Sequence, residues 1–200
     1  MPRDLRICFV GDSYVAGIGD PEHLGWAGRL AAADARDGLP STSYVLGVRR
    51  QTTAEVADRW AAECRPRLAG GAWESRVVLS TGVNDTTEED GAPRLAPQRS
   101  VAALTRVLTG TAAAGWPLLV VGPPAVADGF QNERTAALDG RFASACAEHG
   151  VPYVPVLTTL AADPTWTAEV AAGDGAHPGA AGYAVLADLV RPHWRRWIIG

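Results

Sequence analysis

Ser13, Asn84, Asp174 and His177 are residue types that together can move an acyl group, and they lie in separate parts of a 200-residue chain. Ser13 follows an apolar run in "CFVGDSYVAG", Cys8 to Gly17; Asn84 lies in "GVND", Gly82 to Asp85; Asp174 and His177 lie in "GDGAHPG", Gly173 to Gly179. A serine hydroxyl is a poor nucleophile until a base takes its proton. His177 is the candidate base. A histidine base needs a partner that fixes its tautomer and stabilises the imidazolium. Asp174, three residues earlier in a glycine-containing turn, is spaced to fold back onto the far ring nitrogen. A developing oxyanion needs donors. The backbone N–H groups of Ser13 and Gly47 and the side-chain amide of Asn84 would supply three.

These groups need a frame that brings them together. Five apolar runs of strand type punctuate the chain: Leu5–Val10, Ser43–Gly47, Arg76–Thr81, Pro117–Gly122 and Pro152–Val156. Four lack clean polar alternation, as strands buried on both faces do. Helical stripes lie between them: Val56, Trp60, Cys64 and Leu68; Val101, Leu104 and Leu108; Leu138, Phe142 and Cys146; and Tyr183, Leu186, Val190, Trp194 and Trp197. Thr52 and Glu55 form a capping-box pattern at the start of the first of these. The alternation predicts one α/β domain over residues 1–200, with a five-stranded parallel sheet in a three-layer αβα sandwich. In such sheets ligands bind beyond the carboxyl ends of the strands, at a topological switch point. The candidate residues follow predicted strand ends, the last after a short irregular segment. Residues Asn84–Pro97 read as the longest irregular loop.

Composition narrows the classes. The 47% hydrophobic and 20% charged residues are ordinary for a globular domain, and the net charge of -4 gives no footprint for nucleic acid. No apolar run approaches the ~20 residues of a membrane helix, so no membrane insertion is expected. The N-terminus reads as a first strand and not as a signal peptide, which predicts a cytoplasmic protein, with secretion after trimming left open. Cys8, Cys64 and Cys146 are far apart and form no CxxC pair, so they read as buried small hydrophobes. All 18 basic residues are arginine, a coding bias that points to a GC-rich bacterial genome. Monomer and homodimer are both compatible with the apolar tail "WRRWIIG".

The motifs, in this order, resemble the SGNH (GDSL) hydrolase superfamily and its bacterial GDSL-type esterases and lipases: GDS with Ser13, the second-block glycine at Gly47, GxND at Gly82–Asp85 and DxxH at Asp174–His177. The resemblance spans nearly the whole chain. It implies a flavodoxin-like fold and a serine hydrolase of (thio)esters that needs no cofactor or metal and acts on a small-molecule acyl ester. Ser13 would be the nucleophile, Asp174 and His177 would complete a triad, and Ser13, Gly47 and Asn84 would form the oxyanion hole. Two positions depart from the family pattern: Tyr14 replaces leucine in the first block, and Leu46 replaces the asparagine before Gly47.

Each motif alone has an ordinary reading. Gly-Asp-Ser is turn and cap chemistry, Asn-Asp favours turns, and His177-Pro178 could simply start a helix. Their joint occurrence selects one site. Asp12 is expected to brace the nucleophile turn and Asp85 to bond local backbone. Tyr14, Val83, Phe130 and Trp166 are candidate pocket walls. Arg49 and Arg50 are either anion-binding or simply solvated. His23, His149 and His193 read as surface or satisfied histidines. A carbohydrate O-acetylesterase or acyltransferase would use the same residues. A metal-dependent phosphoesterase would need Asp12, Asn84, Asp85, Asp174 and His177 to converge, a thin ligand set with one histidine. A non-enzymatic ligand-binding module lacks its GxGxxG or GK[ST] pattern. An α/β-hydrolase lacks its G-x-S-x-G elbow.

Overall fold

A computed structural model describes residues 3–199; Met1 and Pro2, read above as leading into the first strand, and Gly200 of the tail lie outside the described residues. Five strands form the main sheet: β1 (Leu5–Gly11), β2 (Thr42–Gly47), β3 (Glu74–Ser80), β6 (Leu118–Val121) and β7 (Tyr153–Val154). All their pairings are parallel, in the order β2-β1-β3-β6-β7. Seven helices join and follow them: α1 (Gly25–Arg36), α2 (Thr53–Leu68), α3 (Pro97–Ala114), α4 (Gly129–Glu148), α5 (Leu157–Ala162), α6 (Pro164–Ala172) and α7 (Ala180–Ile199).

Strand alternation divides the core in two. Leu5, Ile7 and Phe9 of β1, with Val78, Leu119, Val121 and Val154, face α1, α5, α6 and α7. Cys8 and Val10, with Val77, Leu79, Leu118 and Val120, face α2, α3 and α4. All three cysteines are buried free thiols. Phe9 anchors the first layer, stacked on Trp194 at 5.5 Å and edge-on to Trp26 at 5.6 Å. Burying each side chain of this size stabilises by about 1.5–3 kcal/mol.

The chain crosses from β1 outward to β2 and then to β3 on the other flank of β1. The switch point therefore falls between the ends of β1 and β3, where Gly11 pairs with Ser80. The turn after β1 and the turn after β3 are adjacent for that reason.

Three local readings are corrected. Residues 157–172, read as irregular, form α5 and α6; Asp163 caps α6 by accepting from Trp166 N–H at 2.9 Å, with Pro164 at the first helical position. The loop Asn84–Pro97 holds a small hairpin, β4 (Glu88–Glu89) with β5 (Ala92–Pro93), turned at Asp90-Gly91. The last strand is only Tyr153–Val154, because Pro152 and Pro155 lack the N–H a longer ladder needs. The Thr52–Glu55 capping box forms as expected.

Candidate active site

The chain leaves β1 into a tight turn. Asp12 is buried and accepts from Tyr14 N–H through Oδ1 at 3.0 Å, bracing the turn as expected. Its carbonyl accepts from Ala16 N–H at 3.1 Å, and that of Ser13 from Ile18 N–H at 3.1 Å. Downstream, Asp20 accepts from the N–H groups of Glu22, Leu24 and Gly25 and pairs with Arg29. Burial alone would push the Asp20 carboxyl up, but Arg29 and the backbone donors hold it at about 2. A fixed anion thus staples the far side of the Ser13 turn.

Asp174 and His177 lie on the loop between α6 and α7. The Asp174 Oδ1 accepts from the backbone N–H groups of Ala176 at 3.0 Å and His177 at 2.8 Å. Its Oδ2 lies 2.7 Å from His177 Nδ1, and His177 Nε2 lies 2.8 Å from Ser13 Oγ. Burial favours the neutral carboxyl of Asp174, but the donors of His177 and Ala176 outweigh it and hold the group at about 2. Gly19 allows the close approach of the two loops: a Cβ there would sit 2.6 Å from the Pro178 carbonyl oxygen.

Asn84 comes from the turn after β3. Its Nδ2 donates to the Gln51 carbonyl at 3.1 Å and to Asp12 Oδ2 at 3.4 Å. Both of its amide hydrogens therefore have protein acceptors, the Asp12 contact being the longer. Burial, with a contribution from the nearby Asp85 charge and against the Tyr14 N–H bond, pushes the Asp12 carboxyl up to about 7. Asp85 does not bond local backbone as expected: it accepts from Thr53 N–H at the start of α2, at 2.7 Å, and so ties the β3 turn to that helix.

A cavity of about 470 Å³ opens over these groups. Ser13, Tyr14, Val83, Asn84, Asp174 and His177 line it, with Arg49 and Arg50 on one wall and Val126, Ala127, Asp128 and Gln131 on another. The last wall, the turn from β6 into α4, was missed by the sequence reading. Its one signal was Asp128-Gly129 ahead of a helical stripe, and Asp128 does cap α4. Gln131 Nε2 ties this wall to the β3 turn, donating to the Val83 carbonyl and Thr87 Oγ1, each at 3.0 Å.

Three expected site residues lie elsewhere. Gly47 ends β2, paired with Gly11, and does not line the cavity. Val48 N–H donates to the Gly11 carbonyl, so strand alternation turns the Gly47 N–H away from β1. What position 47 offers is room: a Cβ there would lie 2.2 Å from the Ala16 nitrogen. Phe130 is 75% exposed on α4 and outside the cavity. Trp166 is buried behind Tyr14 and not in the cavity. His23, His149 and His193 do not reach the cavity either. A larger hollow, about 710 Å³, opens at the opposite end of the sheet around Trp73, Arg76 and Trp116, but no nucleophile–base pair lines it. Among the described residues, no group of three or more His, Cys, Asp or Glu is placed to hold a metal ion.

A sheet in this order, with these loops gathered at its switch point, is that of the SGNH hydrolases. The chain belongs to the GDSL-like lipase/acylhydrolase family, whose model matches residues 9–185, and it is an enzyme of esterase/lipase type. Solved structures share the fold. A lipase/acylhydrolase from Enterococcus faecalis is 21% identical, with 94% of each chain covered and a TM-score of 0.73. The SGNH-hydrolase family esterase AlinE4 is 20% identical, with 98% of this chain and 97% of that one covered and a TM-score of 0.67. An acetylxylan esterase from Geobacillus stearothermophilus is 15% identical, with 94% of each covered and a TM-score of 0.72. No curated protein matches the chain by sequence.

Proposed function

We propose that the protein hydrolyses small carboxylic esters or thioesters through an acyl-enzyme on Ser13. The observation that carries this reading is the unbroken chain from Ser13 Oγ through His177 to Asp174, at 2.8 and 2.7 Å. His177 Nε2 takes the Ser13 proton as Oγ attacks the acyl carbonyl. Asp174, held anionic, fixes the proton on Nδ1 and stabilises the imidazolium. The carbonyl oxygen becomes an oxyanion and accepts from the Ser13 N–H and from Asn84 Nδ2. To donate, Asn84 gives up its longer contact, the one to Asp12. His177 then protonates the leaving group, and water, deprotonated by the same imidazole, releases the acid.

Replacing Ser13 by Ala tests the reading. Turnover of p-nitrophenyl esters is expected to fall by roughly 10⁶-fold, to background, and fluorophosphonate labelling to vanish, with the melting temperature kept. Residual turnover or labelling on the Ser13→Ala protein would overturn it.

The cavity also supports a second reading, a carbohydrate O-acetylesterase or acyltransferase. Polar groups of Arg49, Asn84, Thr87, Asp128 and Gln131 line it, and its apolar wall is limited to Val83, Val126, the edge of the Tyr14 ring and two alanines. That lining suits a short acyl group and a hydroxylated leaving group. A panel of acetylated sugars, p-nitrophenyl esters of increasing chain length and acyl-CoA thioesters separates the readings. The expected order is acetyl and butyryl above palmitoyl by at least about tenfold, each carbon of a long chain lacking apolar wall to contact.

A further inference from the structure

Tyr14 is the one residue of the nucleophile block that departs from the family pattern, and it is placed to act on the base. Its hydroxyl donates to the Ala176 carbonyl at 2.6 Å, between Asp174 and His177 in the chain. Its ring lies 5.0 Å from the His177 ring, tilted by 39°. Trp166 stacks with the Tyr14 ring at 6.2 Å, and its Nε1 donates to the Ala125 carbonyl at 2.9 Å. The phenol is 1% exposed, and burial holds it well above its ordinary pKa, so it remains a hydroxyl and a donor. A second phenol spans the same gap in the opposite direction. Tyr183 of α7 donates to the Ile18 carbonyl of the nucleophile turn at 2.8 Å. The nucleophile loop thus holds the base loop through Tyr14, and the helix after the base loop holds the nucleophile loop through Tyr183.

We propose that Tyr14 is a positioning residue for the base: its hydroxyl fixes the Asp174–His177 loop, and its ring supports the imidazolium that forms when Ser13 gives up its proton. This rests on the serine-hydrolase reading above. The Ser13–His177 contact joins two loops with no strand pairing between them, and misplacing a reacting pair by about 1 Å can cost about 100-fold. A leucine at this position would supply neither the hydrogen bond nor a π face toward a cation. The charged and titratable groups facing the pair are Asp174 on the base loop, Asp12 beneath Tyr14, Tyr183 on α7, and Arg49 and Arg50 across the cavity.

The test uses Tyr14→Phe and Tyr14→Leu beside the wild type and Ser13→Ala. Tyr14→Phe keeps the stacked ring and removes only the donor. Its kcat is expected to fall about tenfold, the worth of one hydrogen bond, with KM within about twofold and the fluorophosphonate labelling rate falling in step. In Tyr14→Leu the ring is lost as well. Its kcat is expected to fall further, and the acid limb of its kcat/KM profile to move to lower pH, because the imidazolium loses its aromatic neighbour. The downfield proton signal of the His177–Asp174 hydrogen bond reads the same loop without turnover, and is expected to broaden in Tyr14→Phe at unchanged overall fold. Wild-type kcat and a sharp downfield signal in Tyr14→Phe overturn the proposal. So does a kcat loss that only follows the folded fraction. An active Ser13→Ala protein instead sinks the serine-hydrolase reading itself, so the two failures are distinct.

Discussion

Asp12 has two neighbours that matter: the N–H of Tyr14 and the amide of Asn84. Because burial raises its folded-state pKa to about 7, the native protein keeps a proton there that the unfolded chain releases near its ordinary value of 3.8. The sign follows directly. Below about pH 4 both states are protonated and Asp12 costs nothing; as pH rises the penalty grows, and above about 7 it is complete. Asp12→Asn is neutral throughout, so its stability relative to wild type is expected to improve by on the order of 1–4 kcal/mol between pH 4 and 8. Urea midpoints across that range measure it, and a difference that stays flat with pH would show that Asp12 does not titrate there. Chemistry-bearing residues were the most legible part of the site, since a serine after a strand, an Asn in a turn and a DxxH announce themselves by type. Gly47 shows the limit. A glycine reads alike whether its N–H or its missing side chain is what matters, and only the packing of Ala16 and Asp12 against it separates the two.

Between elements, Gly47 joins β2 to the Ser13 turn. A Cβ there would meet the Ala16 nitrogen at 2.2 Å and the Asp12 carbonyl oxygen at 2.6 Å, both backbone atoms that cannot rotate away. Gly47→Ala keeps the N–H, so a pure donor role would leave activity intact. The packing role instead is expected to lower stability by about 1–3 kcal/mol, as overpacking does, and to cut kcat/KM of the folded fraction by at least about tenfold as Ser13 shifts. Thermal melts run beside kinetics on the same sample decide it, and wild-type values in both would restore the donor assignment. Strands β1, β3 and β6 were legible because two-sided burial writes continuous apolar runs. The helices α5 and α6 were not, being too short to display a full stripe; their signal was confined to the Asp163-Pro164 cap. The β6–α4 wall escaped for a different reason. Val126 and Ala127 carry no chemistry by themselves and Asp128 reads as a helix cap, and they matter only through where the order of the five-stranded sheet sets them.

For the molecule as a whole, α7 runs from the site to the opposite end of the sheet. Tyr183 near its start touches the Ser13 turn, while Ile198 near its end accepts through its carbonyl from Arg3 at 2.6 Å, just ahead of β1. Within the tail, Trp194 and Ile198 are fully buried in the core and Trp194 Nε1 donates to Asp34, while Ile199 is exposed. No helix among the described residues is long and apolar enough to cross a membrane. This layout separates stability from catalysis. The candidate site groups that meet at the cavity lie beyond the carboxyl ends of the strands, and the far end of α7 contributes burial and hydrogen bonds away from them. Ile198→Ala removes apolar contacts there at a cost of about 2–5 kcal/mol, which in a chain of this size lowers the melting temperature by roughly 4–20 °C. Yet kcat/KM at 25 °C is expected to stay within about twofold, because a cavity at that end leaves the loops at the switch point in place. Calorimetry paired with steady-state kinetics on the folded protein checks both halves. A loss of kcat/KM well below the melting transition would mean that α7 transmits strain along its length to Tyr183, and that the contacts between the Ser13 and His177 loops depend on the packing of the entire helix.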